Sequence, residues 1–467
     1  MNGLKVGFAR VGIDPPMGCG LAGYFVARYA DGRLDPLEIS VLAISDGAKT
    51  VILASSDTVN VPSCIERELR ASVANATGVE ADAVFFSATH THTGPYLDPN
   101  GEGAPADLPE SITEQYGKYY ISQACDAASR AVADMKYMTA DYGEAHATGL
   151  SYVRTYLMKN GSVRTNPGFN NPDVVSPVGE TDDRVDVLRF TGDDGGSFVL
   201  VNYANHADTV GGTKTSADWC GFMRRIYEAE NPHSKCLFFN GAEGDINHIN
   251  VFPDEEYLSR VRMDFDDVPR GYAYTEYMGR RMAQTVCEAL TNAQPISADR
   301  IDYAKKTVFV PTNMPKPEET PKAHRINSLH AAGRDDELPY DGMMLTTVIA
   351  EAERMVKLEA GPKFIPMTLS IVRIGDVAFL GIPGEPFCKI GIELKKAAGE
   401  NGLRAVFPCS LTNGDIGYFP MKDAYENGGY EARSSLFRAG VGELIISEGK
   451  ALVCEIKQEG SQVASLV

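Results

Sequence analysis

Several things are scarce in this 467-residue chain. It has one tryptophan, eight histidines and no apolar stretch near the ~18 residues that a membrane-spanning helix needs. Its nine cysteines (Cys19, Cys64, Cys125, Cys220, Cys236, Cys287, Cys388, Cys409 and Cys454) are odd in number and never form a C-x-x-C pair. That disfavours a disulfide framework and a thiolate zinc site, and the thiols read as small buried hydrophobes. Basic residues are in deficit. Against 63 Asp+Glu stand 44 Lys+Arg, a formal charge of −19, which argues against nucleic acid and anionic membranes as partners. The amino-terminal stretch lacks the apolar core and cleavage site of a signal peptide, so a cytoplasmic location is expected. With 43% hydrophobic and 23% charged residues, the composition is that of a globular enzyme rather than a disordered chain.

Apolar β-branched runs alternate with amphipathic patterns. Strands are expected at Val51–Ser56, Val84–Ala88, Ser197–Tyr203 and Lys235–Asn240. A strand pair is expected across Met367–Ile382, turning at Gly375-Asp376, with another strand starting at Arg404. Helices are expected at Ser63–Ala76, Glu110–Met135, Asp218–Glu230, Tyr274–Ala293 and Glu385–Asn401. The alternation indicates an α/β protein with mixed, largely parallel sheets and flanking helices. Met158–Asp183 and Pro311–Gly342 read as loop-rich inserts of the kind that form binding loops or lids. No stretch reads as an interdomain linker, so residues 1–467 are taken as one catalytic domain.

Chemistry concentrates where apolar strands end. Val84-Phe85-Phe86 leads into Thr89-His90-Thr91-His92-Thr93-Gly94-Pro95. Strand alternation would put His90 and His92 on one face at a carboxyl edge, where α/β sheets bind ligands. The run Val199–Tyr203 leads to His206, Ala378–Ile382 leads to Glu385, and Val406-Phe407 leads to a loop carrying Tyr418. Two histidines and a carboxylate form a hydrolytic zinc set. Each placement also has a structural reading: a surface histidine pair, a first-turn helical glutamate, a core tyrosine. His248, in Gly244-Asp245-Ile246-Asn247-His248, follows another strand and is expected at the same edge; Glu243 and Asp245 there could orient a histidine or cap a helix.

Together these motifs resemble the neutral/alkaline, non-lysosomal ceramidase family in its catalytic domain. The similarity starts at Val11-Gly12-Ile13-Asp14-Pro15-Pro16 and continues through Thr89–Pro95, Pro383-Gly384-Glu385, and Tyr418 and Tyr430, twelve positions apart. The resemblance implies a zinc-dependent hydrolase with Zn²⁺ on His90, His206, Glu385 and Tyr418. It implies that His92 and Tyr430 contact the reacting carbonyl, and that Arg154 is the site arginine, with Arg164 a rival. The family's serine that contacts the ceramide headgroup corresponds to Asn247, and the family's carboxy-terminal immunoglobulin-like domain is expected to be absent. These departures point to a changed substrate. The expected activity is hydrolysis of an amide in a soluble, polar N-acyl small molecule, read by Asn247, His248 and Arg164 or Arg154. The alternatives are a lactone or ester of a sugar-like compound, ceramide itself, or metal retention without catalysis. The oligomeric state is left open.

Overall fold

The computed structural model describes residues 3–101, 104 and 108–463. The strongest apolar runs become strands buried on both faces. The main sheet contains β1 (Leu4–Gly12), β2 (Glu38–Ser45), β3 (Thr50–Ser56), β4 (Val84–Ala88), β5 (Lys136–His146), β6 (Arg184–Gly192), β7 (Ser197–Tyr203) and β8 (Ser234–Asn240). Their order is β8-β7-β6-β5-β1-β2-β3-β4, with Gln294–Pro295 as a ninth, short strand beside β5. A second sheet runs β9 (Ile301–Pro311), β10 (Phe364–Ile374), β11 (Val377–Gly381) and β12 (Ala405–Cys409) in that order. The longer helices are α1 (Ser63–Thr77), α2 (Glu110–Ala133), α3 (Asp218–Glu230), α4 (Tyr272–Thr291), α5 (Thr320–Ala331), α6 (Gly342–Glu359), α7 (Cys388–Glu400) and α8 (Val441–Val463).

The sheets are mixed, but antiparallel neighbours outnumber parallel ones, against the expectation of a largely parallel arrangement. Pairs β2–β3, β6–β7 and β10–β11 are antiparallel and joined by turns of a few residues, which antiparallel partners allow. Within these two sheets, parallel pairing is confined to three β-α-β units: β3-α1-β4, β7-α3-β8 and β11-α7-β12. These three units carry the site, because the chain leaves their strands towards a common centre. An aromatic cluster fastens the two sheets together: Phe85 and Phe239 of the first sheet sit 6.4 and 5.9 Å, ring to ring, from Phe379 of the second, which stacks on Phe407 at 4.6 Å. The site residues therefore come from two sheets, not from one edge.

Other differences have local causes. Glu385 does not open a helix. Glu385-Pro386 pairs in parallel with Tyr418-Phe419, and α7 starts only at Cys388. The insert before Gly342 is not all loop. It contains α5, whose Ala323 and Ile326 pack on Ile349 and Ala352 of α6; only a narrow apolar stripe marked it among charged residues. The earlier insert folds as a small sheet of Thr155–Met158, Val163–Thr165 and Val174–Pro177. Among the described residues, no helix is long and apolar enough to cross a membrane. All nine cysteines are free.

Candidate functional site

Beyond β4 the chain turns rather than continuing its pleat. The amide of Thr89 donates to the carbonyl of Ser56 at 2.8 Å, and that of His90 to Thr58 at 3.0 Å. His90 takes a φ of 71°, a left-handed conformation uncommon for a residue with a Cβ. The expected shared strand face is thus replaced by a tight turn, which still brings the two imidazoles together. Their Nε2 atoms are 3.2 Å apart and their rings are nearly perpendicular, at 87°.

His206 follows β7 and is fixed from two sides. The Trp219 indole donates to its carbonyl at 3.0 Å, and its Nδ1 lies 3.1 and 2.9 Å from the carbonyls of Glu243 and Ile246. His90 Nδ1 likewise lies 2.9 Å from the carbonyl of Val59. Each Nδ1–H therefore donates to backbone, which leaves each Nε2 as a lone-pair donor facing the other ring, the orientation that metal-ligating histidines use.

Glu385 arrives from β11 over Gly384, whose φ of 150° only glycine accepts readily; a Cβ there would lie 2.4 Å from the Gly417 carbonyl. Gly244 is needed for the same kind of reason, since its Cβ would meet the Glu385 carbonyl at 2.5 Å. The parallel bridge sets Glu385 level with Tyr418. Glu385 Oε2 is buried, has no hydrogen-bond partner, and lies 3.4 Å from both His90 Nε2 and His206 Nε2. Ligand atoms on a tetrahedral ion with bonds of about 2.0–2.1 Å are about 3.3 Å apart. Two oriented imidazoles and an orphaned carboxylate oxygen at this spacing fit a divalent cation, and Tyr418, paired with Glu385, lines the same cavity. His92 Nε2, next to His90 Nε2, is within reach of the same position.

The electrostatics agree with that fit. Burial disfavours protonated His90, but the carboxylates of Glu385 and Glu243 outweigh it and raise His90 to about 9, so this cluster draws positive charge. Burial, helped by Arg154, pushes His206 down to about 4. Burial holds His92 well below its ordinary value, and it stays neutral.

Arg154 lies under the same cluster. Its Nε donates to Glu431 at 2.5 Å, its Nη2 to the Gly244 carbonyl at 2.6 Å, and its Nη1 reaches His206 Nε2 at 3.2 Å. The guanidinium is 5.4 and 5.7 Å from the rings of Tyr418 and Tyr430, which lie 5.6 Å from each other. On the other side, His92 Nδ1 is 3.9 Å from Asp208. Arg270 grips Asp208 at 2.8 and 2.7 Å and Asp266 at 2.7 and 2.8 Å, and Tyr24 donates to Asp208. Burial would raise Asp208, but the Arg270 guanidinium overrides it and holds the carboxyl well below the usual range.

A cavity of about 410 Å³ opens above these groups and extends along α6 from Met343 to Lys357. His90, His92, His206, Glu385, Tyr418, Tyr430, Arg154 and Asn247 all line it. Two expected substrate contacts do not. His248 is buried behind the site with Nε2 on the Pro269 carbonyl at 2.7 Å, and Arg164 is exposed on the small outer sheet. Arg154 therefore occupies the arginine position at the site. Asn166, Glu431 and Asp208 belong to the surroundings of the site and were missed. Asn166 accepts from the Asn247 amide at 3.1 Å and has a φ of 47°. The tripeptide Asn166-Pro167-Gly168 announced a turn, but nothing in it announced a cavity wall.

No family model and no curated protein matches the sequence. Solved structures do match. The neutral ceramidase from Pseudomonas aeruginosa aligns with a TM-score of 0.74 at 16% identity, over 98% of this chain and 75% of that one. A ceramidase complexed with C2 gives 0.72 at 15% identity, over 98% and 76%. The chain has the neutral ceramidase fold.

Proposed function

We propose that the chain is a metal-dependent hydrolase, with zinc as the ion, that cleaves the amide bond of a polar N-acyl small molecule. The observation that carries the reading is the unpartnered Glu385 oxygen, 3.4 Å from each of two backbone-oriented imidazole nitrogens. His90, His206, Glu385 and Tyr418 would hold the ion. When bound, a divalent cation polarises a carbonyl and lowers the pKa of a coordinated water to roughly 7.

The remaining steps fall to the chain's own groups. His92 is neutral, so it can accept a proton at one nitrogen and pass it to a leaving amine. Tyr430 offers a phenolic O–H on the cavity wall as a donor to a developing oxyanion. Arg154 keeps its charge, because Glu431 more than offsets the cost of burial. It is held by Glu431 and the Gly244 carbonyl and crowds the Tyr418 phenol with positive charge.

The lining supports a polar substrate. Asn60, Asn100, Asn166, Asn247, Asp98 and Asp415 share the wall with Phe25, Leu97, Val268 and Met343. Such a mixed wall suits hydroxyl and amide recognition beside a short acyl group. A lactone or ester of a sugar-like compound would undergo the same carbonyl chemistry. The test is turnover by zinc-loaded protein on a panel of N-acyl amino sugars, N-acyl amino acids, lactones, esters and detergent-dispersed ceramide. Amine release from the polar amides is the expected result. Turnover of ceramide alone would overturn the polar-substrate reading. Bound zinc with no turnover on any member would overturn the enzymatic one.

A further inference from the structure

Among the described residues, buried acids other than Glu385 are matched. Asp57 pairs with Arg224 at 2.8 and 2.6 Å, Glu431 with Arg154, and Asp208 and Asp266 with Arg270. Asp245 accepts from the Cys388 amide at 2.6 Å. Glu243 breaks this pattern. It is 0% exposed, and neither carboxylate oxygen has a hydrogen-bond partner. The Ser410 hydroxyl beside it is also 3.5 Å from the Asn240 carbonyl. A ligating oxygen of Glu243 lies within 4.8 Å of ligating atoms of both His90 and Glu385. The cavity is not lined by Glu243, so substrate does not explain it.

An unpaired buried carboxylate is strongly disfavoured, and two side by side more so. Arg154 is already balanced by Glu431, and His90 and His206 are neutral when they ligate through Nε2. The uncompensated charge at the centre is therefore that of Glu385 and Glu243, two negatives against one divalent cation. We infer that Glu243 is the second carboxylate of the metal site, held behind the ligands, and that its charge fixes the affinity of the site for a dication. The inference rests on the metal-site reading above and adds a residue to it. One residue then has two tasks: its carbonyl orients His206, and its carboxylate balances the ion.

The test compares wild type with Glu243→Gln, which keeps the shape and removes the charge. Zinc affinity is measured by competition with a chromophoric chelator, and melting temperature is recorded for metal-stripped and zinc-loaded protein. Zinc affinity is expected to fall about 10–100-fold. Metal-stripped Glu243→Gln should melt close to metal-stripped wild type, and its gain on adding zinc should shrink. Unchanged affinity with an unchanged zinc-induced gain would overturn the inference while leaving the metal site intact. Failure of wild type to bind zinc at all would overturn the site itself. Should Glu243→Gln not fold, zinc-edge anomalous diffraction from wild type decides. An ion within roughly 6 Å of a Glu243 oxygen supports the inference, and a more distant ion contradicts it.

Discussion

Two buried ionic clusters press against the histidines, and they are built in opposite ways. Around Arg270 every carboxylate has a partner: the guanidinium takes Asp208 and Asp266 in bidentate pairs, adds Asp264 at 3.1 Å, and packs 4.4 Å from the Tyr24 ring. Around Glu385 the account is left open, with unpartnered oxygens on Glu385 and on Glu243. The same interior thus contains a saturated cluster, which can serve only as scaffold, and an unsaturated one, which is poised for a ligand. Burial and charge density do not tell them apart; the presence or absence of partners does.

The comparison can be broken from the open side first. His90→Ala or His206→Ala should remove both bound zinc, measured by elemental analysis, and essentially all turnover. Breaking the closed side should affect stability instead. Arg270→Ala leaves two carboxylates buried without a cation and should lower unfolding free energy in urea by about 3–5 kcal/mol. His92→Ala touches both clusters; it should keep zinc and lower kcat by roughly 10²–10³-fold, and equal loss of metal in His90→Ala and His92→Ala would refute that division of labour. Arg154→Lys retains the charge but not the fork to Glu431 and Gly244, so kcat should drop by roughly 10–100-fold in a protein that still folds.

The smallest effect concerns acid. The Asp208 carboxyl is held below its unfolded value by Arg270, so its contribution to stability is present above about pH 4 and is lost as pH falls through the lower folded value. Wild type should therefore lose stability on acidification below about pH 4, and Asp208→Asn should show a shallower decline in urea titrations over that range.

How much of this was legible in the sequence follows from distance along the chain. His90, His206, Glu385 and Tyr418 could be picked out because each follows an apolar strand by only a few residues, and strand ends in β-α-β units converge. What those residues touch was not legible. Arg154 meets Glu431 across 277 positions, and Arg270 meets Asp208 across 62. No local pattern encodes such pairs. His248 was misplaced because its strand does lead to the site, but the short pairing of Ile246-Asn247 with Tyr152-Val153 precedes it and its ring lies inward on Pro269. Glu243 was noticed for its proximity to His248, yet its isolation from any partner is a property of the folded interior alone. The sheet composition was half legible. Helical crossovers marked the parallel pairs, whereas the short turns at residues 46–49 and 193–196, which force antiparallel pairing, were overlooked.

The central claim is that His90, His206 and Glu385 share one cation. Crystals of protein purified without chelator and supplied with zinc, measured on both sides of the zinc absorption edge, test it directly. A single anomalous peak about 2.0–2.2 Å from His90 Nε2, His206 Nε2 and Glu385 Oε2 is the expected result. A peak elsewhere, or none at these three atoms, would contradict the account.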